Sequence, residues 1–269
     1  MRKYEVNENY FDVLNENSSY WLGFLYADGY VRMKDGKSGE LKLKLKDTDK
    51  NHIQKFLTEI ESNHPIKCGI DNKSKFCQVS VNSNIIVKRL FELGCVNKKT
   101  LKIRLPELPL KLMNHFIRGY FDGDGSINKV KNRPNSFNVS ICSNKKFNED
   151  VVKLMGYGKI YEDINFSVIK INKINEIKNF RDFIYNDAQV VMDRKQEIFK
   201  QINNNFNRDY TTTKNKKKYK LIKSDNTIMV IDNLKQFCIE NRLKYSTMSN
   251  LSRGIGKTNN GWKCEIIID

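Results

Sequence analysis

The sequence predicts an α+β protein: two pseudo-symmetric αββαββα units in one chain, followed by a small C-terminal module with helix-turn-helix spacing. Three observations predict it. A ten-residue motif occurs twice, at residues 20–29 (YWLGFLYADG) and 116–125 (FIRGYFDGDG), aligned without a gap at an offset of 96 residues. The same succession of strand-like and helix-like segments follows each copy. Near Asn203 the composition turns polar and rich in Asn and Lys, and order signals then return.

The elements follow from periodicity. After each motif comes a basic, polar stretch and an alternating strand, LKLKL at 41–45 and FNVSI at 137–141. Helix-like runs follow at 52–60 and 148–155, then strand pairs ending at 78–81 and 168–171. Amphipathic helices at 85–93 and 174–185 close the copies. Residues 1–105 and 106–202 are thus the two units, and 203–218 is a basic linker. Residues 219–269 form the last module: two strands around Asp225-Asn226, a helix over 234–241 capped by Asn233, a second over 247–253 capped by Ser246, and a strand over 262–267. Plain structural helical hairpins show the same spacing.

The motifs themselves read as helices, with Ser18 or Ser19 as N-cap of the first and Pro109 in the first turn of the second. Gly23 and Ala27 lie four apart on one face, as do Gly119 and Gly123. Glycine inside a helix costs about 1 kcal/mol relative to alanine, so a compensating gain is expected, and close packing of two helices is the natural one. Trp21, Phe24 and Leu25, with Phe116, Ile117, Tyr120 and Phe121, then point into two surrounding cores.

Each motif ends in Asp-Gly, with a left-handed glycine expected just past the helix. An aspartate at a helix C-terminus is electrostatically misplaced, because that end already carries partial negative charge. Two such ends brought together place Asp28 and Asp124 side by side, and a hard divalent cation, Mg²⁺ or Mn²⁺, relieves the repulsion. No ligand beyond these two is assigned; Ala27 beside them has no donor side chain. Either aspartate alone is an ordinary turn residue, and only the pair makes the case.

The chain carries 48 Lys plus Arg against 31 Asp plus Glu, a formal net charge of +17. Such a surplus favours a polyanionic partner, nucleic acid foremost. The segment from residue 206 onward is itself basic, with 13 basic and 6 acidic residues. Six scattered cysteines without a CxxC pair, and only three histidines, assemble no zinc site at standard spacing. Reduced, mostly buried thiols in a cytosol-like compartment are expected, as are a soluble chain and no secretory signal.

With both motifs in place, the first 200 or so residues resemble the single-chain LAGLIDADG homing endonucleases. The run from residue 93 to 125, with Gly94, Lys99-Thr100, Pro106, Pro109 and His115-Phe116, is similar to the phage and bacterial branch. The resemblance implies motif helices at the interface of two units, each offering a four-stranded saddle to double-stranded DNA. It implies Asp28 and Asp124 as metal-holding catalytic residues, and Lys99 and Lys195 near the scissile phosphates; a solvated surface lysine is the alternative for both. Lys46 and Ser143 are candidates for positioning water. Tyr26 stands where the second copy has Asp122, a departure at a position that is not the usual ligand. The implied activity is Mg²⁺-dependent double-strand cleavage at a long asymmetric target by a monomeric, intron-encoded enzyme of the cytoplasm or an organelle. A non-cleaving DNA-binding regulator of the same fold and a maturase acting on intron RNA are the alternatives.

Strand period two supplies the expected reading surface. Arg32, Lys42, Lys44, Lys46, Gln78, Ser80 and Asn82 line the open face of the first unit; Asn138, Ser140 and Lys170 line the second. Such residues make phosphate and base-edge contacts, although any solvated sheet is polar too. The last module resembles the helix-turn-helix repeats appended to phage and intron-encoded nucleases, Gly261-Trp262 included. That resemblance implies Tyr245, Ser246, Thr247, Asn250 and Arg253 as its groove-facing set; a small packing domain is the alternative.

Overall fold

The computed structural model describes residues 3–34, 37–96, 102–131, 133, 136–202 and 218–267. Lys99 and most of the linker lie outside the described residues. The chain divides into two compact units, Met1–Asn204 and Asn205–Asp269.

The first unit holds the duplication. Its first half runs α1 (Glu16–Asp28), β1 (Gly29–Lys34), β2 (Lys37–Lys46), a 3-10 turn at Asp47–Asp49, α2 (Lys50–Glu59), β3 (Lys67–Asp71), β4 (Ser74–Asn82) and α3 (Asn84–Glu92). The second half repeats the order: α4 (Leu110–Asp124), β5 (Gly125–Lys129), β6 (Phe137–Ser143), α5 (Lys145–Met155), β7 (Lys159–Glu162), β8 (Ser167–Ile171) and α6 (Ile174–Tyr185). Both antiparallel sheets have the same strand order, β1-β2-β4-β3 and β5-β6-β8-β7. The expected αββαββα succession is therefore present twice. One further helix, α7 (Asp193–Lys200), follows; it is too short and too charged for periodicity to reveal it.

Burial explains the elements. In α2, Ile53, Phe56 and Leu57, with Ile60 just beyond, form one apolar stripe, and all are buried. In β2, Leu41, Leu43 and Leu45 are buried while Lys44 and Lys46 are exposed, as period two requires. Helix α1 is buried on every side from Ser18 to Ala27, which makes it a central rather than a surface helix. The strand registers pair Val31 with Leu41 and Ile127 with Val139. The second hairpin is therefore two residues longer, and Val139 is the counterpart of Leu41.

Three local expectations are corrected. The N-cap of α1 is Asn15, not Ser18 or Ser19: its side chain accepts from Ser18 N (2.9 Å) while Ser18 Oγ accepts from Asn15 N (2.8 Å), a closed capping box. Pro109 sits one residue before α4, at its N-cap. Gly29 and Gly125 are extended (φ −72° and −86°), not left-handed; they are glycine because a Cβ would overlap the carbonyl of the residue four earlier, Leu25 or Phe121. A fourth correction concerns redox state. Cys68 and Cys77 face each other across β3 and β4 and are disulfide-bonded. Cys95, Cys238 and Cys264 are buried thiols and Cys142 is exposed.

The second unit contains β9 (Lys218–Lys223), β10 (Ile228–Ile231), α8 (Leu234–Glu240), α9 (Tyr245–Leu251) and β11 (Trp262–Ile267). Its sheet has the order β10-β9-β11. Leu221, Leu234, Phe237, Cys238, Met248, Leu251, Trp262 and Cys264 form a core of their own. Asn233 caps α8 by accepting from Gln236 N (3.1 Å). Ser246 does not cap α9, which starts at Tyr245 behind Lys244 with no side-chain cap.

Candidate active site and nucleic-acid interface

The motif helices α1 and α4 pack backbone to backbone. A Cβ on Gly23 would overlap the carbonyl oxygen of Phe116, and one on Gly119 would overlap that of Tyr20. Further along, a Cβ on Gly123 would overlap the Cβ of Ala27. The spacing of small residues thus serves the close approach expected from the sequence. Asp28 and Asp124 are the last residues of the two helices, and both are exposed. Asp28 Oδ2 lies 3.4 Å from the Cβ position of Gly123, next to Asp124. The two carboxylates therefore stand at neighbouring helix ends on the surface.

Lys195, on α7, is buried rather than a surface lysine. Its Nζ donates to the carbonyls of Phe121 (2.6 Å), Asp122 (2.7 Å) and Gly125 (2.6 Å). These oxygens belong to the end of α4 or just beyond, where carbonyls lack helical partners. Burial lowers the Lys195 ammonium to about 8, opposed by the charges of Asp122, Asp28 and Asp124. A cation thus lies behind both surface carboxylates, answering at α4 part of the negative charge of a helix C-terminus.

Behind the site lies a buried polar cluster that motif reading missed. Asp122 is fully buried and accepts from Tyr20 Oη (2.8 Å), Tyr185 Oη (3.2 Å) and Met192 N (2.8 Å). Burial raises its carboxyl; Lys195, the hydrogen bonds from Met192 N and Tyr20 Oη, and Arg118 pull it back. Since the single Tyr20 proton goes to Asp122, the contact to His52 Nε2 (2.9 Å) has His52 as donor. Desolvation lowers His52 to about 3, with Lys55 adding to the effect, so the ring is neutral. Arg118 is equally buried, donating to Val190 O (2.9 Å) and Ile184 O (3.1 Å).

The surroundings of the two surface aspartates differ. Asp28 opens on a cavity of about 430 Å³ lined also by Lys44, Lys46, Asp49, Asp71 and Arg194. Within it Lys44 pairs with Asp71 (2.7 Å) and Arg194 with Asp49 (3.2 Å). On the other side, Tyr120 Oη lies 2.9 Å from Ser143 Oγ and 3.1 Å from Cys142 O, and burial, then the Asp124 charge, raises its hydroxyl pKa. Ser143 is itself buried, because it continues the inward series Phe137, Val139, Ile141. Among the described residues, no group of three His, Cys, Asp or Glu side chains forms a metal cluster. Two carboxylates fit Mg²⁺ where water and a phosphate complete the shell, as this ion prefers.

The open sheet faces carry the expected polar residues. Lys42 pairs with Ser80 and Lys44 with Gln78 across β2 and β4, and Arg32 and Asn82 flank Glu40. Ser140 pairs with Lys170 across β6 and β8, and Asn138 with Asn128 of β5. Aromatic rings lie among the cations: Lys44 Nζ is 4.1 Å from the Phe76 ring centre and Lys170 Nζ 4.6 Å from that of Tyr161. In the second unit Tyr245, Ser246, Asn250 and Arg253 are exposed and Thr247 is half-buried. No helix among the described residues is long and apolar enough to cross a membrane.

A LAGLIDADG-like domain is recognised at residues 111–164. The fold is similar to that of "the homing endonuclease I-WcaI bound to its DNA recognition sequence", with TM-score 0.51 and 12 % identity, covering 73 % of this chain and 91 % of that one. The I-LtrWI LAGLIDADG homing endonuclease bound to target DNA gives TM-score 0.48 at 15 % identity, over 73 % of this chain and 90 % of that one. A replication factor C small subunit of Methanocaldococcus jannaschii is 27 % identical over 206 residues, 71 % of this chain. The chain spans 10 % of that relative's length. The chain thus carries a LAGLIDADG-like domain within a two-fold LAGLIDADG meganuclease fold.

Proposed function

We propose that this chain, with its LAGLIDADG fold, is a site-specific double-strand DNA endonuclease whose metal-holding residues are Asp28 and Asp124. The observation that carries the reading is their placement: two exposed carboxylates at neighbouring ends of helices so closely packed that a Cβ on Gly23 or Gly119 would overlap the facing backbone. A net charge of +17 supplies the attraction to DNA. Asp28 and Asp124 would hold Mg²⁺ or Mn²⁺, which when bound activates water and polarises the phosphate. Lys195 holds the end of α4 in place by its contacts to the carbonyls of Phe121, Asp122, Gly123 and Gly125. Lys46 and Arg194 border the Asp28 cavity, where a phosphate brought close meets positive charge. The open faces of the two sheets read the duplex, and their different residues suit an asymmetric target. The second unit, with Tyr245, Ser246, Thr247, Asn250 and Arg253, adds a further basic DNA contact, and the protein acts as a monomer.

The test is cleavage with Mg²⁺ of plasmids carrying DNA from around its own gene. The wild-type protein is expected to linearise a subset of them. Asp28→Asn and Asp124→Asn are each expected to abolish linearisation while binding in Ca²⁺ persists. Unimpaired cutting by both variants would falsify the site assignment. Deleting residues 203–269 is expected to weaken binding and flatten its dependence on salt.

A further inference from the structure

Resting on the DNA-cutting reading, we infer that Glu40 is a specificity-determining positioning residue, which orients Arg32 to read a guanine in the half-site facing the first sheet. A carboxylate is out of place on a surface meant for phosphates, since it repels them. Glu40 nevertheless stands on the open face of β2, directly opposite Arg32 of β1 and Asn82 of β4. It is only 9 % exposed, held down by its neighbours. Oε2 receives Arg32 Nη2 at 3.4 Å. Oε1 receives Ser80 Oγ at 3.0 Å and lies 3.7 Å from Lys42 Nζ.

Tyr30 completes the arrangement. Its ring centre is 5.7 Å from the Arg32 guanidinium carbon and 5.7 Å from Lys42 Nζ. Two cations are thus fixed between one carboxylate and one aromatic ring. An unbraced Arg or Lys on a surface samples many rotamers and suits a phosphate, which accepts donors from many directions. Recognition of the O6 and N7 edge of guanine needs the guanidinium fork in one orientation, and a fixed fork loses less entropy on binding. Arg32 remains 41 % exposed in its side chain, so it can meet a base edge while Glu40 holds it. At the corresponding register position of the second sheet, the uncharged Asn128 stands opposite Asn138 and donates to Ser126 Oγ (2.6 Å), with no guanidinium and no carboxylate. The guanine preference is therefore confined to one half-site.

The test is selection from a randomised duplex library in Ca²⁺, using the full chain, with base preferences read by sequencing. The wild-type protein is expected to enrich guanine at one position of one half-site. Arg32→Ala should erase that preference and weaken binding to the selected site by roughly tenfold or more. Glu40→Gln should flatten the preference at the same position and leave the others intact, with total affinity kept or raised by loss of a negative charge. Ser80→Ala, which removes one donor to Glu40 and leaves both charges, should shift the same position by less. An unchanged profile for Glu40→Gln overturns the inference alone, and so does a loss spread evenly over all positions. A wild-type protein that enriches no sequence overturns it together with the proposed function. Melting temperatures of the variants close to wild type separate a change in reading from a failure to fold.

Discussion

The seventh position of the repeated motif is Tyr26 in one half and Asp122 in the other, and each meets the first position of the opposite motif. Tyr26 stacks edge-on against Phe116, with ring centres 5.0 Å apart, and donates to Leu93 O. Asp122 instead accepts from Tyr20. The substitutions are thus crossed: where one copy has a phenylalanine, its partner supplies a tyrosine; where one has a tyrosine, its partner supplies a carboxylate. The surface ends of the helices stay alike, Asp28 against Asp124, while their buried supports differ. In one half the support is aromatic packing plus a single neutral hydrogen bond. In the other it is a charged network that also draws in Lys195 and α7.

That difference predicts unequal consequences, largest in the second half. Lys195→Met leaves the Asp122 carboxylate buried without its nearby ammonium and strips these carbonyls of a donor. A loss of about 3–5 kcal/mol is expected, read by urea denaturation. A loss under about 1 kcal/mol would mean that the two halves are supported alike after all.

Gly119→Ala forces a methyl group against the Tyr20 carbonyl, and Gly23→Ala against that of Phe116. Each is expected to destabilise by about 1–3 kcal/mol and to reduce cleavage beyond its effect on folding, because the aspartates are pushed apart. Here the halves should behave alike, since the close approach is reciprocal. A large difference between the two variants would show that the pseudo-symmetry fails at the interface itself.

Acid should act on the first half through His52, in addition to the share of His115 in the second half, whose pKa burial also lowers. His52, held at about 3 by burial against an ordinary value of 6.5, takes up its proton more readily unfolded than folded. Between these values the unfolded state binds more protons, so stability rises with pH across the window and falls as pH drops below 6.5. The contribution is about 1.4 kcal/mol per pH unit. The matching position of the second half, which packs on Tyr120 as His52 packs on Phe24, is the non-titrating Phe147. His52→Gln should remove that share of the slope in denaturation measured from pH 7 to 4.5.

Much of this was legible in the sequence, and the remainder was hidden for identifiable reasons. The repeat, the helical spacing of Gly23, Gly119 and Gly123, and the alternation of Leu41–Leu45 are local patterns, and the fold keeps them. The role of Tyr20 and Asp122 depends on which positions of two helices cross, which periodicity does not encode. The swapped pair of residue types was the available signal. Lys195 lies on a short helix whose burial only tertiary packing decides. The Cys68–Cys77 pairing follows from hairpin register. Its signal was the two-residue turn at Asn72-Lys73, both at positive φ (43° and 67°), which sets Asp71 opposite Ser74 and hence Cys68 opposite Cys77.

The smallest expected effect is the most direct comparison of the two supports. Tyr20→Phe removes a hydroxyl that serves a buried carboxylate and a buried imidazole; Tyr26→Phe removes one that serves a single carbonyl. A hydrogen bond to a charged group contributes about 1.5–3 kcal/mol and a neutral one about 0.5–1.5 kcal/mol. The first variant should therefore be the less stable by roughly 1 kcal/mol. The phenyl ring of each keeps the packing, so the difference reports the polar partners alone. Because the Tyr26 ring is buried edge-on against Phe116, it should stay seated without the hydroxyl. Equal losses in the two variants would mean that Asp122 is held as a neutral acid, with its support no more electrostatic than that of the first half.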